Sequence, residues 1–422
     1  MRIWLINIGE QLPIDDPNER LLRTGILANL LADRGHEVVW WTSSFDHIRK
    51  KHRVKENTAI VVKPGLTLQV LHGPGYYDNV SLRRILNHAL LSRGFRHIAP
   101  GLAVPDIVVS SLPAIEISVA AADYAQKRRI PLLLDVRDLW PDIFAEVVPG
   151  PLKPFVRLAS RPFESMLRSA CTRATGIMGI TPAFVEWGLQ YAGRAATPMD
   201  RSFPLAYTAR EPSPEARTKA EAFWDARGIK GKDANEFTAC FISSAGRHVD
   251  LQPVAEAARR LLAEPRYRVR FVICGNLGDY EQYFTGCENV LRPGWVGAAE
   301  LWTILRRSSV GLVAYQDRAD FQRSYPNKSI EYLSAALPVV SRLSGSLKEL
   351  LERNECGLTY GTSAELAAHL RTLYDDPARR DRMSVNAGRL FREQFVAETV
   401  YSDMCSHFAM VIARGTQADP PK

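Results

Sequence analysis

Residues 324–341 decide the fold of this chain, and they read Ser-Tyr-Pro-Asn-Lys-Ser-Ile-Glu-Tyr-Leu-Ser-Ala-Ala-Leu-Pro-Val-Val-Ser. Asn327 is a good residue to cap a helix, and Pro326 breaks the segment just before it. The predicted helix runs into an apolar strand at 337–340, and another apolar run, 310–315, precedes it. A strand, a loop, a helix and a second strand in this order predict a β-α-β unit.

Two side chains in the first turn of that helix carry opposite charges, Lys328 and Glu331. In a β-α-β unit, the loop at the carboxyl end of the strand and the helix N-terminus bind anionic ligands. Backbone amides and an ammonium group suit phosphate, whereas a carboxylate accepts hydrogen bonds from ribose hydroxyls. The stretch therefore predicts a nucleotide site.

Short β-rich apolar runs recur along both halves of the chain, with helical patterns between them. In the first half they fall at 3–8, 38–41, 67–71, 107–110, 132–136 and 175–180. In the second half they fall at 238–243, 269–274, 290–296, 310–315, 338–343 and 356–359. Continuous apolar strands imply parallel sheets that are covered on both faces. We therefore expect an α/β fold with two doubly wound, Rossmann-like domains facing a central cleft, into which the strand carboxyl ends point.

The length of 422 residues also favours two domains, because a single core rarely grows that large. The apolar pattern lapses between about 197 and 235, which places the boundary near 205–215 and gives a helix at 216–226 to the second domain. The predicted segments are 1–205, 206–398 and a C-terminal amphipathic helix with its tail at 399–422.

Composition narrows the class of protein further. No apolar run approaches the roughly 20 residues that a bilayer crossing needs. Residues 1–7 turn polar too quickly for a signal peptide and are interpreted as the first strand. The cysteines are scattered without a Cys-x-x-Cys pair, which indicates reduced thiols in a cytoplasm, with no zinc site and no disulfide framework. They are Cys171, Cys240, Cys274, Cys287, Cys356 and Cys405.

The net charge of +8 has two interpretations. It is either a solvated basic surface, or it attracts the anionic phosphates of a lipid carrier or of membrane headgroups. The basic residues cluster at 49–55 and 83–97, and between 83 and 99 leucines and aromatic residues interleave with the arginines. This pattern suits a membrane-facing helix, although half-buried packing explains it equally. Nucleic acid is disfavoured because no nucleic-acid-binding motif accompanies the charge.

Three segments together resemble the signature of the retaining GT-B glycosyltransferases of family 4, especially the bacterial enzymes that build O-antigen and capsule polysaccharides. The segments are Asp135-Val136-Arg137-Asp138-Leu139-Trp140-Pro141-Asp142, Ser244-Ala245-Gly246-Arg247 and residues 324–341. The resemblance covers nearly the whole chain. It implies a first domain that binds the acceptor, a second domain that binds a nucleotide sugar, and a C-terminal helix that returns to the first domain.

In the second domain, Gly246 lets the backbone approach a ligand closely, and Arg247 offers a guanidinium fork for a diphosphate. By resemblance, Glu331 is the second glutamate of the family's E-x7-E motif and grips the ribose. The first glutamate is replaced by Arg323, so recognition of the donor sugar must differ here. Lys328 is expected to supply positive charge near the diphosphate.

Two further segments of the second domain are similar to ligand-binding parts of the family. Trp295 and Val296 lie where the family holds the nucleobase, with Trp295 either a stacking platform or a core residue. Ser344 to Ser346 resembles a phosphate- or sugar-contacting loop. The nucleotide-sugar-binding residues are thus predicted to be Gly9, Gly246, Arg247, Trp295, Val296, Tyr325, Asn327, Lys328, Glu331, Ser344, Gly345 and Ser346.

In the first domain, Arg137 and Asp138 follow a strand where related enzymes carry a His-Asp pair that contacts the donor sugar. The alternative for Asp138 is a helix cap or an ion-pair partner of Arg137. Gly9 and Glu10, after the first strand, are expected to face the donor phosphates. Weaker candidates for the acceptor side are Arg20, Tyr77, Asp78 and Asn79.

The resemblance implies transfer with retention from a UDP-sugar, with an N-acetylated hexosamine as the expected sugar. The motifs show no pair of carboxylates of the kind that hydrolases use, so electrostatic stabilisation of the leaving diphosphate is expected. The predicted catalytic residues are Arg247, Lys328, Arg137 and Asp138. No cofactor and no metal ion are expected.

The expected acceptor is a glycan on polyprenyl diphosphate, used at the inner face of the cell membrane. Two alternatives remain open, a UDP-sugar epimerase of the same fold and a non-catalytic nucleotide-binding protein.

Overall fold

The structure is a computed structural model that describes residues 1–15, 21–78, 81–146, 148, 150–231, 236–243, 246 and 248–415. The chain divides into two compact units. The first contains Met1–Pro204 together with Ala397–Lys422, and the second contains Leu205–Val396. None of the helices in the described ranges is both long enough and apolar enough to cross a membrane.

The first unit is built on a mainly parallel sheet. Its strands are β1 (Arg2–Ile6), β2 (Glu37–Ser43), β3 (Phe45–Asp46), β4 (Lys51–His52), β5 (Thr58–Lys63), β6 (Leu66–Leu71), β7 (Ile107–Leu112), β8 (Leu132–Val136), β9 (Gly176–Gly179) and β10 (Arg201–Ser202). Its helices up to residue 204 are α1 (Arg23–Asp33), α2 (Leu82–Ile98), α3 (Ile115–Arg128), α4 (Ile143–Glu146), α5 (Lys153–Arg173) and α6 (Pro182–Ala192), with short 3-10 helices at Ala99–Gly101 and Gly150–Leu152.

The strand order in this sheet is β10-β9-β8-β7-β1-β2-β6-β5. Only β5, at the edge, runs antiparallel to its neighbour, and β3 pairs with β4 in a separate hairpin. The chain moves outward from β1 to one side and then restarts at β7 on the other side, so the order reverses between β1 and β7. The central strands β7 and β8 are buried along their whole length, as expected for parallel strands covered on both faces.

The second unit repeats this plan with a fully parallel sheet. Its strands are β11 (Phe237–Ile242), β12 (Val269–Cys274), β13 (Val290–Gly294), β14 (Val310–Val313), β15 (Val339–Ser341) and β16 (Gly357–Thr359). Its helices are α7 (Pro214–Asp225), α8 (Gln252–Leu262), α9 (Ala298–Arg307), α10 (Ala319–Gln322), α11 (Asn327–Ser334), α12 (Ser346–Arg353), α13 (Ser363–Asp375) and α14 (Pro377–Gln394), with a 3-10 helix at Gly278–Phe284. The order β13-β12-β11-β14-β15-β16 is the doubly wound order, and it reverses between β11 and β14.

The last helix, α15 (Ala397–Gly415), belongs to the first unit and packs against α1. Arg201 on β10 forms a bidentate ion pair with Asp403 on this helix. The predicted α/β class with two Rossmann-like domains and a returning C-terminal helix is thus confirmed.

Tyr332 joins the two strands at the reversal point of the second sheet. The direct pairing of β11 with β14 covers only Ala239 with Val310 and Cys240 with Gly311. Beyond it, the buried Tyr332 hydroxyl accepts a hydrogen bond from the Ile242 amide and donates one to the Leu312 carbonyl, both at 3.1 Å. The hydroxyl thus replaces the missing ladder hydrogen bonds and ties α11 to both strands.

A glycine makes this arrangement possible. A Cβ atom on Gly311 would lie 2.4 Å from the Tyr332 ring, which is far inside contact distance. The close approach of helix α11 to strand β14 therefore depends on the absence of a side chain at this position.

We predict that Tyr332→Phe lowers the free energy of unfolding by about 1–3 kcal/mol, because it leaves the Ile242 amide buried without a partner. Urea unfolding measures the change. Tyr360→Phe is the matched control. Tyr360 is also fully buried in this unit, but its hydroxyl has no hydrogen-bond partner among the described residues, so a change within about 0.5 kcal/mol is expected. Equal losses in the two variants would contradict the assigned role of the Tyr332 hydroxyl.

Candidate functional site

The loops that follow β11 and β14 lie side by side at the reversal point. Val249 and Tyr315 form an isolated antiparallel bridge. The Asp250 amide donates to the Ala314 carbonyl at 2.8 Å, and the Gln316 amide donates to the His248 carbonyl at 2.9 Å. Crevices at such reversal points, outside the strand carboxyl ends, are the usual ligand sites of doubly wound sheets.

The structure describes only part of the predicted diphosphate-binding segment. Gly246 lies in the loop after β11, while Ser244, Ala245 and Arg247 fall outside the described residues. The role of Arg247 therefore stays a prediction.

Helix α11 begins differently from the prediction. Its N-cap is Pro326, with no capping side chain, and Asn327 is its first residue and is exposed. The expected cap role of Asn327 is wrong, because the turn is closed by Ser329 instead. The Ser329 amide and hydroxyl both donate to the Pro326 carbonyl, at 2.9 and 2.6 Å. The Asn327 side chain is left at the surface, next to the first turn.

Lys328 and Glu331 form an ion pair on the first turn of α11. The Lys328 Nζ atom lies 3.3 Å from both carboxylate oxygens of Glu331. The Glu331 side chain is buried, whereas about a quarter of the Lys328 side chain, 24%, remains exposed. A carboxylate is costly to bury, so a buried one beside a ligand crevice is a candidate for function.

Tyr315 places Glu331 at the reversal point. Burial raises the pKa of Tyr315 to about 12, and the negative charge of Glu331 adds to that increase, while a hydrogen bond with Ser243 opposes it. Ser243 directly follows β11, and Tyr315 follows β14. The charge of Glu331 on α11 therefore affects the pKa of Tyr315, which follows β14 and is hydrogen-bonded to Ser243 after β11.

The loop before α12 contacts the segment that contains α10, between β14 and α11. Ser344 donates from its amide and its hydroxyl to the Asp317 carboxylate, at 3.0 and 2.8 Å. Gly345, the N-cap of α12, has φ of +73°, and a Cβ there would lie 2.3 Å from the Gln322 carbonyl oxygen. Ser346 begins the helix. The amide and hydroxyl donors of Ser344, which were predicted to contact a phosphate or a sugar, are thus hydrogen-bonded to Asp317.

Arg323, which stands where the family motif has its first glutamate, lies between α10 and α11. Arg323 is exposed at the end of α10. Tyr325 is half-buried and packs its ring edge-to-face on Phe395, with centroids 6.0 Å apart. Tyr325 lies two positions and Arg323 four positions before Asn327, the first residue of α11.

Trp295 is a surface residue. It follows β13 and is 80% exposed, so the alternative of a core tryptophan is wrong. Gly294, just before it, has φ of +77°, and its carbonyl accepts a hydrogen bond from the Gly275 amide at 2.8 Å. This turn presents the indole to solvent, and Val296 beside it is half-buried.

In the first unit, Glu10 turns inward. Its carboxylate accepts hydrogen bonds from the Thr24 amide and hydroxyl, at 2.9 and 2.8 Å, and thereby caps α1. The neighbouring Gly9 is exposed, and its amide donates to the Asn7 side chain at 3.0 Å. The expectation that Glu10 faces donor phosphates is corrected, because a negative charge occupies the helix N-terminus that an anionic ligand would use.

Arg137 belongs to a buried chain of alternating charges. It donates to Asp135 at 2.7 Å and also pairs with Glu10. Arg23 holds the other side of Asp135 with two hydrogen bonds of 3.0 Å, and both of these side chains are inaccessible to solvent. The donors of Arg137 are thus engaged within the unit, which gives it a positioning role for the loop after β1. Sequence reasoning missed this chain, since Arg23 and Asp135 are 112 positions apart.

Asp138 follows β8, and the acceptor candidates Tyr77 and Asp78 follow β6, so these three residues lie at the carboxyl edge of the first sheet. One Asp138 carboxylate oxygen accepts a hydrogen bond from the Leu139 amide at 2.8 Å, and the ion-pair partners of Arg137 are Asp135 and Glu10 instead. The Arg84 guanidinium, which sequence analysis placed only in a basic cluster, lies 4.0 Å from the centre of the Trp140 ring.

Tyr77 and Asp78 are exposed. The other two acceptor candidates, Arg20 and Asn79, fall outside the described residues. Within the described ranges, no three His, Cys, Asp or Glu side chains group together in a way that could hold a metal ion. The six cysteines are free and buried.

Comparison with known proteins supports this description. Residues 250–406 match a family model described as Glycosyl transferase-like. No curated protein sequence matches the chain. Among solved structures, Anabaena Alr3699/HepE in complex with UDP-glucose is similar with a TM-score of 0.62 at 15% identity, over 97% of this chain and 100% of that chain.

Two further structures agree. Sucrose-phosphate synthase from Thermosynechococcus elongatus has a TM-score of 0.70 at 14% identity, over 98% of this chain and 99% of that chain. WaaG, a glycosyltransferase involved in lipopolysaccharide biosynthesis, has a TM-score of 0.63 at 14% identity, over 97% and 99%. Identities this low show the fold alone. The fold is that of the GT-B glycosyltransferases, with two Rossmann-like domains.

We predict that Asp135→Asn lowers the free energy of unfolding by about 3–5 kcal/mol, because it leaves two buried guanidinium groups without their carboxylate. Asp403→Asn, which breaks the exposed pair with Arg201, should cost less than about 1 kcal/mol. Urea unfolding compares the two variants. Similar losses would contradict the structural role assigned to the buried chain.

The same comparison has a pH dependence with a defined sign. Burial alone would raise the pKa of Asp135, but the guanidinium groups of Arg137 and Arg23 outweigh it and hold that pKa below its ordinary value of 3.8. The stability that Asp135 contributes is therefore present above that pH and lost as the pH falls through the folded-state pKa. The gap between wild type and Asp135→Asn should narrow below pH 3.8.

Proposed function

We propose that the protein is a glycosyltransferase that takes a sugar from a UDP-sugar bound by the second unit. The observation that carries the proposal is the Lys328–Glu331 pair at the start of α11, beside the reversal point between β11 and β14. The carboxylate of Glu331 accepts hydrogen bonds from the ribose hydroxyls, and the ammonium group of Lys328 approaches the diphosphate. The pairing with Lys328 compensates the charge of the buried carboxylate.

The comparisons support a nucleotide-sugar donor. The matched family model spans the region from the loop after β11 to the C-terminal helix. HepE, which has the same fold, was solved with UDP-glucose and with UDP. A UDP-forming trehalose-phosphate synthase from Burkholderia xenovorans is also similar, at a TM-score of 0.63 and 13% identity.

In the proposed reaction, the sugar–phosphate bond breaks while the acceptor attacks from the same face, which retains the anomeric configuration. Negative charge grows on the departing diphosphate, which takes up the acceptor proton. Lys328, Arg247 and the backbone amides of Gly345 and Ser346 stabilise that charge. Asp138 is proposed to contact sugar hydroxyls, and Arg137 acts through Glu10 and Asp135 as a positioning residue. No metal ion is required in this proposal.

Recognition of the base and the sugar is assigned to the exposed groups around this site. Trp295 offers its indole face to the uracil, and Val296 offers its backbone. Tyr325, Asn327 and Ser344 are assigned to the sugar side, where Arg323 replaces the usual carboxylate. The expected donor sugar is an N-acetylated hexosamine.

The first unit is proposed to bind a glycan acceptor on polyprenyl diphosphate, in the synthesis of a bacterial surface polysaccharide. Such an acceptor is held in a membrane, so the enzyme works in the cytoplasm in peripheral contact with an anionic membrane surface. The competing functions are a UDP-sugar epimerase of the same fold and a nucleotide-binding protein without catalysis.

Replacing Glu331 with Gln should weaken binding of UDP by about 10- to 100-fold, because a charged acceptor of two hydroxyl hydrogen bonds becomes a neutral one. Isothermal titration calorimetry measures the affinity. Wild type should prefer UDP to 2′,3′-dideoxy-UDP, and this preference should be much smaller in Glu331→Gln, because a neutral amide oxygen forms weaker hydrogen bonds than a carboxylate. This loss of discrimination separates contact with the ribose from a general effect on folding.

Glu352→Gln is the matched control for that experiment. Glu352 pairs with Lys348 on the next helix, α12, where both side chains are exposed. This variant should bind UDP as wild type does. Retention of the preference for UDP over the dideoxy nucleotide in Glu331→Gln would refute the ribose assignment.

Release of UDP from a UDP-sugar should depend on the acceptor. A panel of UDP-sugars with and without a polyprenyl-diphosphate-linked glycan, followed by a coupled assay for UDP, tests this. Release only in the presence of acceptor, unchanged by EDTA, is expected. Interconversion of UDP-sugars without an acceptor would establish the epimerase instead, and UDP binding without turnover would establish the non-catalytic protein.

A further inference from the structure

We propose that helices α2 and α5 of the first unit form a docking face for an anionic lipid bilayer. The exposed apolar residues of this lipid face are Leu82, Ile85, Leu86 and Leu90 on α2, and Leu152, Phe155 and Leu158 at the start of α5. The proposal deepens the proposed function, because it states how the enzyme reaches an acceptor held in a membrane.

Helix α2 has two distinct faces. Asn87, Leu91 and Phe95 are buried, and they share the side that packs on the unit. Leu82 and Leu86 lie on the opposite side, with exposures of 84% and 53%. Residues four apart lie one above the other on a helix, so these leucines form a continuous apolar stripe that faces solvent.

Helix α5 presents a similar stripe in its first turns. Phe155 is 72% exposed and Leu158 is 59% exposed, while the buried residues of this helix, such as Leu167 and Ala170, come later. Most of the surface of these two side chains is therefore in contact with solvent. An amphipathic helix of this kind lies in the interface of a bilayer with its apolar face in the acyl boundary.

The two stripes belong to one layer and to one edge of the sheet. Helices α2 and α5 both pack against α3, which lies between them. Each helix follows a strand and returns against it, so the first turns of both lie at the carboxyl edge of the first sheet. Asp138 and Tyr77, which were predicted for the sugar and the acceptor, are at the same edge.

The charge around the stripes identifies the partner. Helix α2 contains four arginines and no acidic residue, with Arg84 on the Trp140 ring and Arg96 paired with Asp123. Residues 153–162 of α5 contain three basic residues and no acidic residue. Each basic residue near an anionic membrane strengthens binding by about fivefold. A second copy of this chain would bring the same positive charges face to face, which disfavours self-association.

Vesicle co-sedimentation with the full chain tests the proposal. Wild type should bind phosphatidylcholine vesicles that contain roughly one third phosphatidylglycerol, should not bind pure phosphatidylcholine, and should dissociate as the salt concentration rises. Phe155→Ser with Leu158→Ser should weaken binding at least about tenfold, through the loss of inserted apolar surface. Arg157→Glu with Arg161→Glu should weaken it by a similar factor.

The matched control is Val385→Ser with Arg382→Glu on α14, an exposed valine and an exposed arginine of the second unit, and it should bind vesicles as wild type does. Equal binding to neutral vesicles, or variants of the lipid face that bind like wild type, would overturn the proposal. A concentration-dependent dimer that the same variants abolish, without vesicle binding, would do so as well.

All lipid-face variants should bind UDP as wild type does. Vesicle binding by a protein that does not bind UDP would therefore refute the proposed donor and leave the docking face standing. UDP binding without vesicle binding would refute the docking face and leave the proposed donor standing.

Discussion

The hydroxyl of Tyr332 bridges β11 and β14 at the reversal point of the second sheet, where doubly wound sheets usually bind their ligands. At a reversal point, two adjacent strands send their following helices to opposite sides, so the strand ends have backbone groups that no neighbour satisfies. Here one phenol satisfies the Ile242 amide and the Leu312 carbonyl together. Because Tyr332 is adjacent in sequence to Glu331, the same contact fixes the position of the buried carboxylate. The geometry of the candidate nucleotide site is therefore a consequence of how the sheet is closed.

Buried charge is used differently in the two units. In the first unit, Arg23, Asp135, Arg137 and Glu10 form a row of ion pairs with alternating charge. The row ends where the Glu10 carboxylate accepts hydrogen bonds at the start of α1, so each of these charges has a partner inside the unit. In the second, Lys328 and Glu331 pair at two equal distances of 3.3 Å, and the lysine keeps contact with solvent. The first arrangement is a structural one that secures the loop after β1. In the second arrangement the ammonium group remains accessible to solvent, and for this reason the proposed donor site is placed there.

Much of the fold was predictable because parallel sheets are buried on both faces. Strands such as 107–112 contain no charged residue and are buried along their whole length, and α1 shows its apolar side in the spacing of its leucines. The hairpin of β3 with β4 and the edge strand β5 were not predicted, because short or half-exposed strands carry little hydrophobic signal. In the site, Lys328 and Glu331 were found from their place at the start of a helix. The direction of Glu10 was predicted wrongly, and the sequence could neither identify the partners of Arg137 nor choose between the two alternatives for Trp295, because the direction of a side chain depends on the tertiary structure around it.

The sequence by itself determined the architecture, the location of the β-α-β unit at 310–341 and the presence of a cation and a carboxylate three positions apart at the start of α11. These are local properties, set by the periodicity of apolar residues and by residues three positions apart on a helix. Only the tertiary structure decided that Glu10 caps α1, that Arg137 is held by Asp135, and that the first turns of α2 and α5 share one edge of the sheet. Those relations depend on groups that the folded sheet brings together, such as Arg23 and Asp135, which are 112 positions apart.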